Sequence, residues 1–324
     1  MQSELQLPVL VQPLLCCPRC RGNLKLLGSE QYQCKNLECN LLFPVRDGIP
    51  ILIDEEASIF SIDDFLYSQN IYFDLTPQNP VKQFIKRFIP GTSRNVKAVS
   101  NYQHFIKLLL TQSNLPNVLV LGGSILGQGM KVVVEYPAEI VLVESDVSFG
   151  PRTDVIFDAH SIPFKDNSFD GVIVQAVLEH VVDPYKCVEE IHRVLKKDGL
   201  VYAETPFMQQ VHGGCYDFTR FTHLGHRRLF RKFEEIESGA VCGPGMALAW
   251  SYSYFLLSFT KSKFLRILLG VFARFTSFYL TYFDELLINK AGTLDAASGY
   301  YFIGRKSDSI LSDKELIKLY KGAF

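Results

Sequence analysis

Residues 158–184 read DAHSIPFKDNSFDGVIVQAVLEHVVDP and contain the clearest signals of secondary structure in the chain. Its apolar run at 170–174 has the length and composition of a buried parallel strand. At its far end Asp183 is placed as a helix N-cap and Pro184 as the first helical residue, so the sequence predicts a helix over 184–197. The stretch is therefore a strand followed by its helix, the repeating unit of an α/β sheet.

The same alternation continues on both sides of this unit. Apolar residues at helical spacing predict an amphipathic helix over 96–110, directly before a further apolar run. Strands that alternate with helices indicate an open, doubly wound sheet, whose ligand lies at the carboxyl ends of its strands. The predicted strands cover residues 117–121, 140–143, 155–157, 170–174, 200–203 and 299–305.

A glycine-rich turn follows the first of these strands. Gly122-Gly-Ser-Ile-Leu-Gly127 leads into a short helix, and glycines at such a turn let the backbone approach a nucleotide closely. The spacing differs from the G-x-G-x-x-G pattern of dinucleotide sites, and a plain strand-to-helix connector is the alternative. About twenty residues further on, Glu144 and Asp146 are both placed to hold ribose hydroxyls.

Several motifs in this order resemble class I S-adenosylmethionine-dependent methyltransferases of the ubiquinone-biosynthesis-like type. The motifs span roughly residues 95–240 and comprise the stretch quoted above, Glu190-Ile-His-Arg-Val-Leu-Lys-Lys-Asp-Gly199 and Ala203-Glu-Thr-Pro206. The resemblance implies a Rossmann-like, seven-stranded doubly wound sheet, an enzyme that transfers a methyl group, and S-adenosyl-L-methionine as its cofactor.

The resemblance also implies the residues that hold this cofactor. Asp146 is preferred over Glu144 for the ribose, because Asp146-Val-Ser148 matches the family's Asp-hydrophobic-Ser pattern. The implied contacts are Gly122 and Gly123 (with Ser124 in the same turn) for the methionine part, Asp146 or Glu144 for the ribose, Asp158 and Ala159 for the adenine, and Gln175 for the sulfur.

Two positions depart from the family's pattern. Val120 stands where an acidic residue normally precedes the first glycine by two positions, and Ser124 replaces the second glycine of the usual triplet. These departures keep open a second hypothesis, a non-catalytic adaptor that retains the shape of the domain and binds a partner. A third, an NAD-type oxidoreductase, fits the turn but leaves the 178–184 segment unexplained.

Four cysteines near the N-terminus have the spacing of a metal site. They follow the pattern C-x2-C-x13-C-x4-C, and four thiolates suit a closed, structural zinc site. Together with the trailing Phe43-Pro-Val-Arg-Asp-Gly-Ile-Pro50, this segment resembles the zinc ribbons of the tRNA-methyltransferase-activator type. Cys16 is the alternative to Cys17 as the first zinc ligand. The predicted ligands are Cys17, Cys20, Cys34 and Cys39.

A polar and aromatic loop after the fifth strand is the predicted acceptor site. Residues 209–222 read QQVHGGCYDFTRFT and should face the ligand edge of the sheet. Methyl transfer to a hydroxyl or amine releases a proton, for which His212 or Asp217 is the candidate base, with His180 as a third. The alternative is an ordered loop held by Asp–Arg pairing. The candidate acceptor-binding side chains are Tyr216 and Arg220.

An aromatic-rich stretch near the C-terminus interrupts the alternation. Residues 238–260 carry no charge, and 264–283 contain only Arg266 and Arg274 as charged residues. The Gly243-Pro-Gly245 break and the strand still expected afterwards argue against a membrane span. We therefore predict a helical insertion over about 246–288 that covers an apolar acceptor pocket or forms a subunit contact, with peripheral membrane binding as the alternative.

Composition limits the remaining choices. The chain has 324 residues, a formal charge of −1 and a pI near 6.7, which disfavours nucleic acid as a partner, although a local basic patch would suffice for one. The N-terminus lacks a signal-peptide pattern and the clustered thiols indicate a reducing compartment, so a cytoplasmic location is expected.

These observations together predict the organisation and activity of the chain. A zinc ribbon over 1–54 and a connecting segment over 55–94 precede a methyltransferase domain over 95–309 and a terminal helix over 310–324. The expected activity is methyl transfer to a small-molecule acceptor, apolar or glycan-like, and a homodimer is a further expectation. In the adaptor alternative, the ribbon and the aromatic insertion bind the partner.

Overall fold

A seven-stranded sheet forms the centre of the computed structural model, which describes residues 4–67, 84, 87–137 and 139–323. Six strands run in one direction and β11 runs in the opposite direction between β10 and β9, in the order β10-β11-β9-β8-β5-β6-β7. The strands are β5 (Asn117–Leu121), β6 (Val141–Asp146), β7 (Val155–Ile156), β8 (Phe169–Gln175), β9 (Leu195–Pro206), β10 (Phe233–Cys242) and β11 (Gly299–Lys306).

The predicted doubly wound sheet is confirmed, and the order of its strands locates the ligand edge. Strand β5 lies between β6 and β8. The strands that follow β5 are added first on one side of it, as β6 and β7, and then on the other, from β8 onward, so the strand order reverses at β5. A crevice opens at such a switch point, beyond the carboxyl ends of the parallel strands. The first predicted strand, 117–121, has the observed bounds, whereas the second extends to Asp146 and so includes both acidic residues.

Helices cover both faces of the sheet. The described helices are α1 (Ile62–Tyr67), α2 (Ala98–Gln112), α3 (Lys131–Val134), α4 (Pro184–Val194), α5 (His223–Leu229), α6 (Pro244–Leu257), α7 (Lys263–Ser277), α8 (Asp284–Leu287), α9 (Thr293–Ala296) and α10 (Asp313–Leu316). On one face α2 buries Tyr102 and Phe105, and on the other α4 buries Ile191 and Val194. Single 3₁₀ turns occupy Gln12–Leu14, Gly214–Tyr216, Phe278–Tyr282 and Ile317–Leu319.

The predicted helix over 184–197 begins as expected but ends earlier. The Asp183 carboxylate accepts hydrogen bonds from the backbone N–H groups of Tyr185 and Lys186, which caps the helix. The backbone becomes extended at Leu195, where β9 pairs with β8. Residues 196–199 then form an irregularity in β9, so their charged side chains are not helical as the sequence suggested.

A separate four-stranded antiparallel sheet forms the N-terminal ribbon. Its strands follow one another in sequence order as β1 (Leu24–Leu27), β2 (Gln31–Cys34), β3 (Leu42–Arg46) and β4 (Ile49–Pro50). Beyond β4, Ile51 forms a parallel bridge with Ile156 of β7, so the ribbon covers the last parallel strand of the large sheet. Apolar side chains of the ribbon and of the large sheet share one hydrophobic core.

An ion-pair network also joins the ribbon to the large sheet. Glu190 of α4 is 8% exposed and accepts hydrogen bonds from Arg21 of the ribbon at 2.8 Å and from Arg193 at 2.9 Å. Both guanidinium groups also donate to the carbonyl oxygen of Ile162. The predicted domain boundaries at residues 54, 94 and 309 stay predictions, and most of the 68–86 part of the connecting segment lies outside the described residues.

Four cysteine sulfurs of the ribbon lie together. Their ligand atoms are all within 4.8 Å of one another, with 3.7 Å between the Sγ atoms of Cys17 and Cys39 and 3.4 Å between those of Cys20 and Cys34. A tetrahedral zinc with Zn–S bonds of about 2.3 Å places its sulfurs roughly 3.8 Å apart, so the four thiols fit one zinc ion. Cys16 lies outside this group, and its N–H donates to the carbonyl oxygen of Pro163.

The predicted helical insertion lies between β10 and β11 and contains α6, α7 and α8. The carboxylate of Asp284 in α8 accepts the backbone N–H groups of Gly245 and Met246 at 2.7 and 2.9 Å, which caps the first turn of α6. Within the part of the chain that the structure describes, one helical stretch, Lys263–Leu287, has the length and apolar composition for a membrane span, and 17% of its apolar window is buried.

The ribbon geometry predicts that zinc loading depends on the clustered thiols. We expect Cys34→Ser to lower the zinc content from one atom per chain to near zero and to lower the melting temperature, because metal binding supplies folding free energy to such segments. Inductively coupled plasma mass spectrometry and thermal unfolding measure both effects. Cys215→Ser, at an exposed cysteine outside the cluster, is the control and should retain zinc; full zinc in the Cys34 variant would contradict the assignment.

Candidate cofactor and acceptor site

A first cavity, of about 110 Å³, opens at the carboxyl ends of β5 to β8. Two of its walls come from outside the sheet. Ile59 and Phe60 belong to the segment after the ribbon, and Tyr216 belongs to the loop after β9; the rings of Phe60 and Tyr216 stack with their centroids 5.9 Å apart. The large sheet and its loops contribute, among others, Gly122, Asp146, Phe157, Asp158, Ala159 and Ala176.

The glycines after β5 form a cradle that side chains would fill. Gly122 has φ +73°, and a Cβ there would lie 2.4 Å from a methyl carbon of Val177. A Cβ on Gly123 would lie 2.9 Å from the Cβ of Glu144. Bare backbone therefore faces the crevice at this turn, which is what a nucleotide-like cofactor requires for close approach.

The two acidic residues of β6 have different surroundings. Asp146 lines the first cavity and accepts the N–H of Ser124 at 3.1 Å; burial raises its pKa, against hydrogen bonds that lower it. Glu144 lies instead on the second cavity described below, where both of its carboxylate oxygens contact Arg152 at 2.7 Å. Burial likewise raises the pKa of Glu144, against the effect of Arg152. Only Asp146 shares a cavity with Phe157 and with the loop after β7.

Asp158 is fixed by a chain of hydrogen bonds. Its carboxylate accepts from Nδ1 of His160 at 2.5 Å and from the hydroxyl of Ser58 at 2.5 Å, while Nε2 of His160 accepts the N–H of Asp183. Burial acts to raise the pKa of Asp158, but the bonds from His160 and Ser58 outweigh it and the pKa is lowered. Asp158 is thus an ionised acceptor held in one orientation at the first cavity.

A second cavity, of about 400 Å³, lies on the other side of the β5 end. It meets the first at the ends of β5 and β8, because Leu121, Gly122, Ala176 and His180 line both. Ala176 has φ +53°, a backbone conformation that is uncommon for a residue with a Cβ and that recurs at functional sites. The apolar lining of the second cavity includes Val120, Ile173, Cys242, Met246 and Trp250.

Glu204, near the end of β9, lines the second cavity together with Glu144. Its carboxylate accepts from Gln175 Nε2 at 2.9 Å, from Asn95 Nδ2 at 2.8 Å and from the hydroxyl of Tyr202. Burial raises its pKa to about 7, against these hydrogen bonds, which lower it. A carboxylate with this pKa accepts a proton readily at neutral pH.

The loop over 209–222 is held by pairing between Asp217 and Arg220, which was the alternative considered from the sequence. Asp217 contacts Arg220 through both carboxylate oxygens, at 2.5 and 2.9 Å, and accepts the N–H groups of His212 and Gly213. Burial acts to raise the pKa of Asp217, but these bonds outweigh it and the pKa is strongly lowered. Asp217 therefore orders the loop and stays ionised.

Two histidines meet a buried glutamate at the rim of the second cavity. Nε2 of His180 lies 3.6 Å from Oε1 of Glu179, and Nε2 of His212 lies 3.8 Å from the same oxygen. The side chain of Glu179 is 1% exposed and that of His212 is 27% exposed. The Glu179 carboxylate raises the pKa of His212, against burial, which lowers it.

The predicted site residues divide between the two cavities. The first is lined by Gly122, Asp146, Asp158, Ala159, His180 and Tyr216. The second is lined by Gly122, Gly123, Glu144, Gln175, His180 and His212. Ser124, Asp217 and Arg220 line neither cavity. Glu204 and Glu179 were not among the predicted site residues. Both follow apolar runs inside the quoted motifs, and that placement is the one signal that the sequence offers for them.

Comparison with known proteins gives two independent matches. Residues 136–203 match the family described as "Methyltransferase domain". At its start, the chain is 41% identical over 54 residues to a UPF0434 protein of Hahella chejuensis, and the match covers 16% of this chain and 87% of that protein.

Solved structures with similar folds include two named methyltransferases. The putative sarcosine dimethylglycine methyltransferase of Galdieria sulphuraria is 16% identical, with 74% of this chain and 93% of that chain covered and a TM-score of 0.41. The phosphoethanolamine N-methyltransferase 2 of Haemonchus contortus, solved with S-adenosyl-L-methionine, is 15% identical, with 88% and 71% covered and a TM-score of 0.42.

The two sequence matches agree with the two parts of the chain. The family match spans β6 to β9, the strands that carry most of the ligand edge, and does not favour the adaptor hypothesis. The four clustered cysteines belong to the ribbon and fit a structural zinc. The chain belongs to the UPF0434 family through this N-terminal ribbon and is a class I S-adenosylmethionine-dependent methyltransferase through the domain that follows it.

Proposed function

We propose that this enzyme transfers the methyl group of S-adenosylmethionine to a hydroxyl or amine of a small, largely apolar molecule bound in the second cavity. The observation that carries the proposal is the meeting of the two cavities at Gly122, Ala176 and His180. A cofactor in the first cavity would present its methyl group at this junction. An acceptor in the second cavity would approach the junction from the other side.

The residues of the first cavity supply the contacts that this cofactor needs. Asp146 would accept hydrogen bonds from the ribose hydroxyls, and Asp158 with Ala159 would face the adenine. Phe157 and Phe60 offer apolar surface on either side of a flat base. At the junction with the second cavity, Gly122 and Gly123 would admit the methionine part, and Gln175, which lines the second cavity, would lie beside the sulfur.

The second cavity supplies alignment and a proton acceptor. When bound, S-adenosylmethionine carries an activated methyl group on a sulfonium, so the protein chiefly has to hold the reactants in line. The acceptor oxygen or nitrogen bonds to the methyl carbon as the carbon–sulfur bond breaks, and S-adenosylhomocysteine leaves. We assign the released proton to Glu204, which has the burial, the cavity position and the pKa that suit a base.

This assignment changes the roles proposed for the polar loop. Asp217 and Arg220 order the loop through their mutual pairing, whereas Tyr216 closes the first cavity beside Phe60. His212 lies in the second cavity and packs edge-on against Trp250 at 5.8 Å between ring centroids. We therefore propose that His212 and His180 act on the acceptor together and that Asp217 positions His212.

Titration calorimetry with S-adenosylmethionine and S-adenosylhomocysteine tests the cofactor half of the proposal. We expect micromolar binding by the zinc-loaded protein and a loss of about 10- to 100-fold in Asp146→Asn, because charge-assisted hydrogen bonds to the ribose are removed. Glu144→Gln should bind within about threefold of the wild type, since Glu144 is already paired with Arg152.

Glu237→Gln is the matched control, because this carboxylate lies in a surface pair with His104 away from both cavities. Absence of binding in folded, zinc-loaded protein would contradict the proposed transfer and return the adaptor hypothesis. If only the Glu144 variant lost cofactor binding, the ribose contact would be assigned to Glu144 instead of Asp146.

The buried state of Glu204 predicts a distinctive pH dependence of stability. Its pKa of about 7 in the folded protein exceeds the ordinary value of 4.5, so its contribution is complete below about pH 4.5 and is lost as pH rises through 7. Glu204→Gln removes this loss. Urea denaturation gives the free energy of unfolding of the variant and of the wild type at each pH. We expect the difference, variant minus wild type, to be about 3 kcal/mol larger at pH 8 than at pH 5.

The control for this experiment is Glu189→Gln, at an exposed carboxylate that pairs with Lys232 and lines neither cavity. Its stability profile should run parallel to that of the wild type. A Glu204 variant whose difference from wild type stays constant with pH would remove the support for Glu204 as the proton acceptor.

The helical insertion leads us to propose that the acceptor comes from, or lies near, an anionic lipid surface. One side of α7 and the following turn is apolar and exposed, and Lys261, Lys263 and Arg274 lie close by in sequence. Met246 and Trp250 of α6 line the second cavity, so the insertion connects this surface to the acceptor position. The exposed apolar residues of this surface are Phe264, Leu265, Ile267, Leu268, Phe272, Phe275, Tyr279 and Tyr282.

Flotation with vesicles that contain anionic phospholipid tests this surface. We expect the wild type to float with the vesicles at low salt and Phe264→Asp/Leu268→Asp to bind at least about 100-fold more weakly, because each buried aromatic or aliphatic side chain contributes about 1.5–3 kcal/mol. Leu37→Asp, at an apolar residue of the ribbon that is 92% exposed, is the control. A wild type that stays at the bottom of the gradient but sediments as a dimer would assign the surface to a subunit contact instead.

A further inference from the structure

The side chain of Glu179 is buried beside two imidazoles without a hydrogen bond to either. The residue is 0% exposed, and among the described residues neither of its side-chain oxygens has a hydrogen-bond partner. A polar group that is buried without hydrogen bonds costs about 1–3 kcal/mol. A cation beside Glu179 would remove this cost.

The two neighbouring imidazoles stand at distances that suit a shared ion. Nε2 of His180 and Nε2 of His212 lie 3.6 and 3.8 Å from Oε1 of Glu179, beyond the 2.7–3.2 Å of a hydrogen bond. One ligand atom from each of the three residues lies within 4.8 Å of the others. Ligands about 2.0–2.2 Å from one metal stand roughly 3–3.5 Å apart, so a small contraction would bring the three onto one ion.

The backbone of the loop orients both rings toward the glutamate. Nδ1 of His180 contacts the carbonyl oxygen of Tyr216 at 2.8 Å, and Nδ1 of His212 contacts that of Gln210 at 3.1 Å. Each Nδ1 therefore carries the proton that it donates, and each Nε2 faces Glu179. A backbone carbonyl bound to the second ring nitrogen is the usual support of a metal-ligating histidine.

We propose that Glu179, His180 and His212 hold one divalent first-row metal cation at the junction of the two cavities. Two imidazoles and one carboxylate form a ligand set for such ions, and three protein ligands leave coordination positions open. His180 and His212 line the second cavity, so the open positions face the acceptor. This site differs in kind from the ribbon, where four thiolates close the coordination sphere of a structural zinc.

The cation would bind the acceptor oxygen and stabilise its deprotonated form. Binding of the cation stands apart from the methyl transfer proposed above, whereas its action on the acceptor rests on that proposal. The proton released from the coordinated hydroxyl passes to Glu204, and the oxygen then receives the methyl group. The cation undergoes no change of oxidation state.

Titration of the zinc-loaded protein with Mn²⁺, followed by electron paramagnetic resonance of the free ion, tests the site. Mn²⁺ prefers oxygen and nitrogen ligands and leaves the thiolate-bound zinc in place. We expect one Mn²⁺ per chain in the wild type and at least about 100-fold weaker binding in Glu179→Gln and in His212→Gln, since loss of outer-shell partners alone costs 10–100-fold. The zinc content after incubation with excess Zn²⁺ should rise from one to two atoms per chain.

His104→Gln is the matched control, because His104 also pairs with a glutamate, Glu237, but on the surface. It should bind Mn²⁺ as the wild type does. Titration with S-adenosylhomocysteine checks the fold of each variant and separates the two proposals. Normal S-adenosylhomocysteine binding with neither Mn²⁺ nor a second Zn²⁺ bound would overturn the metal site alone. Metal binding without cofactor binding would retain the site and reject the methyl transfer.

Discussion

The parallel pairing of β5 with both β6 and β8 is the constraint on which the ligand edge depends. Because the three strands run in the same direction, Gly122, Asp146 and Ala176 emerge at one edge of the sheet. The left-handed backbone of Gly122 then turns the chain away without a side chain in the crevice. Both cavities exist because of this turn, one on each side of it.

The arrangement of the strands was predictable because apolar runs and helix caps are local signals. The 117–121 run and the Asp183-Pro184 start of α4 needed no knowledge of the fold. Glu204 and Glu179 were not predictable in this way. Their significance comes from burial beside groups distant in sequence, such as Asn95 for Glu204 and His212 for Glu179, and a single sequence contains no record of such packing. Asp146 was preferred over Glu144 from the sequence pattern alone, and the pairing of Glu144 with Arg152 was not visible in that pattern.

The ribbon and the methyltransferase domain form one folding unit in the physical sense. Their apolar side chains share a core, Ile51 extends the edge of the large sheet, and Glu190 is paired with arginines from both parts. The segment after the ribbon also supplies Ser58 to Asp158 and Phe60 to the wall of the first cavity. Because this segment follows directly on the ribbon, loss of zinc should alter the first cavity although no cysteine of the ribbon lines it.

The chemistry of the two proposed ion sites follows from where each lies. The cysteines are enclosed by the ribbon and its core, and soft thiolates complete a coordination sphere that excludes substrate. Glu179, His180 and His212 lie instead at the rim of the second cavity, where His180 also lines the first, and they would offer harder ligands and an open side. An ion at this junction and a base at Glu204 would flank the acceptor from two directions, so the acceptor atom that receives the methyl group is best an oxygen. A neutral amine already has a nucleophilic lone pair. Its methylation would therefore be accelerated little by an ion and a base in these positions.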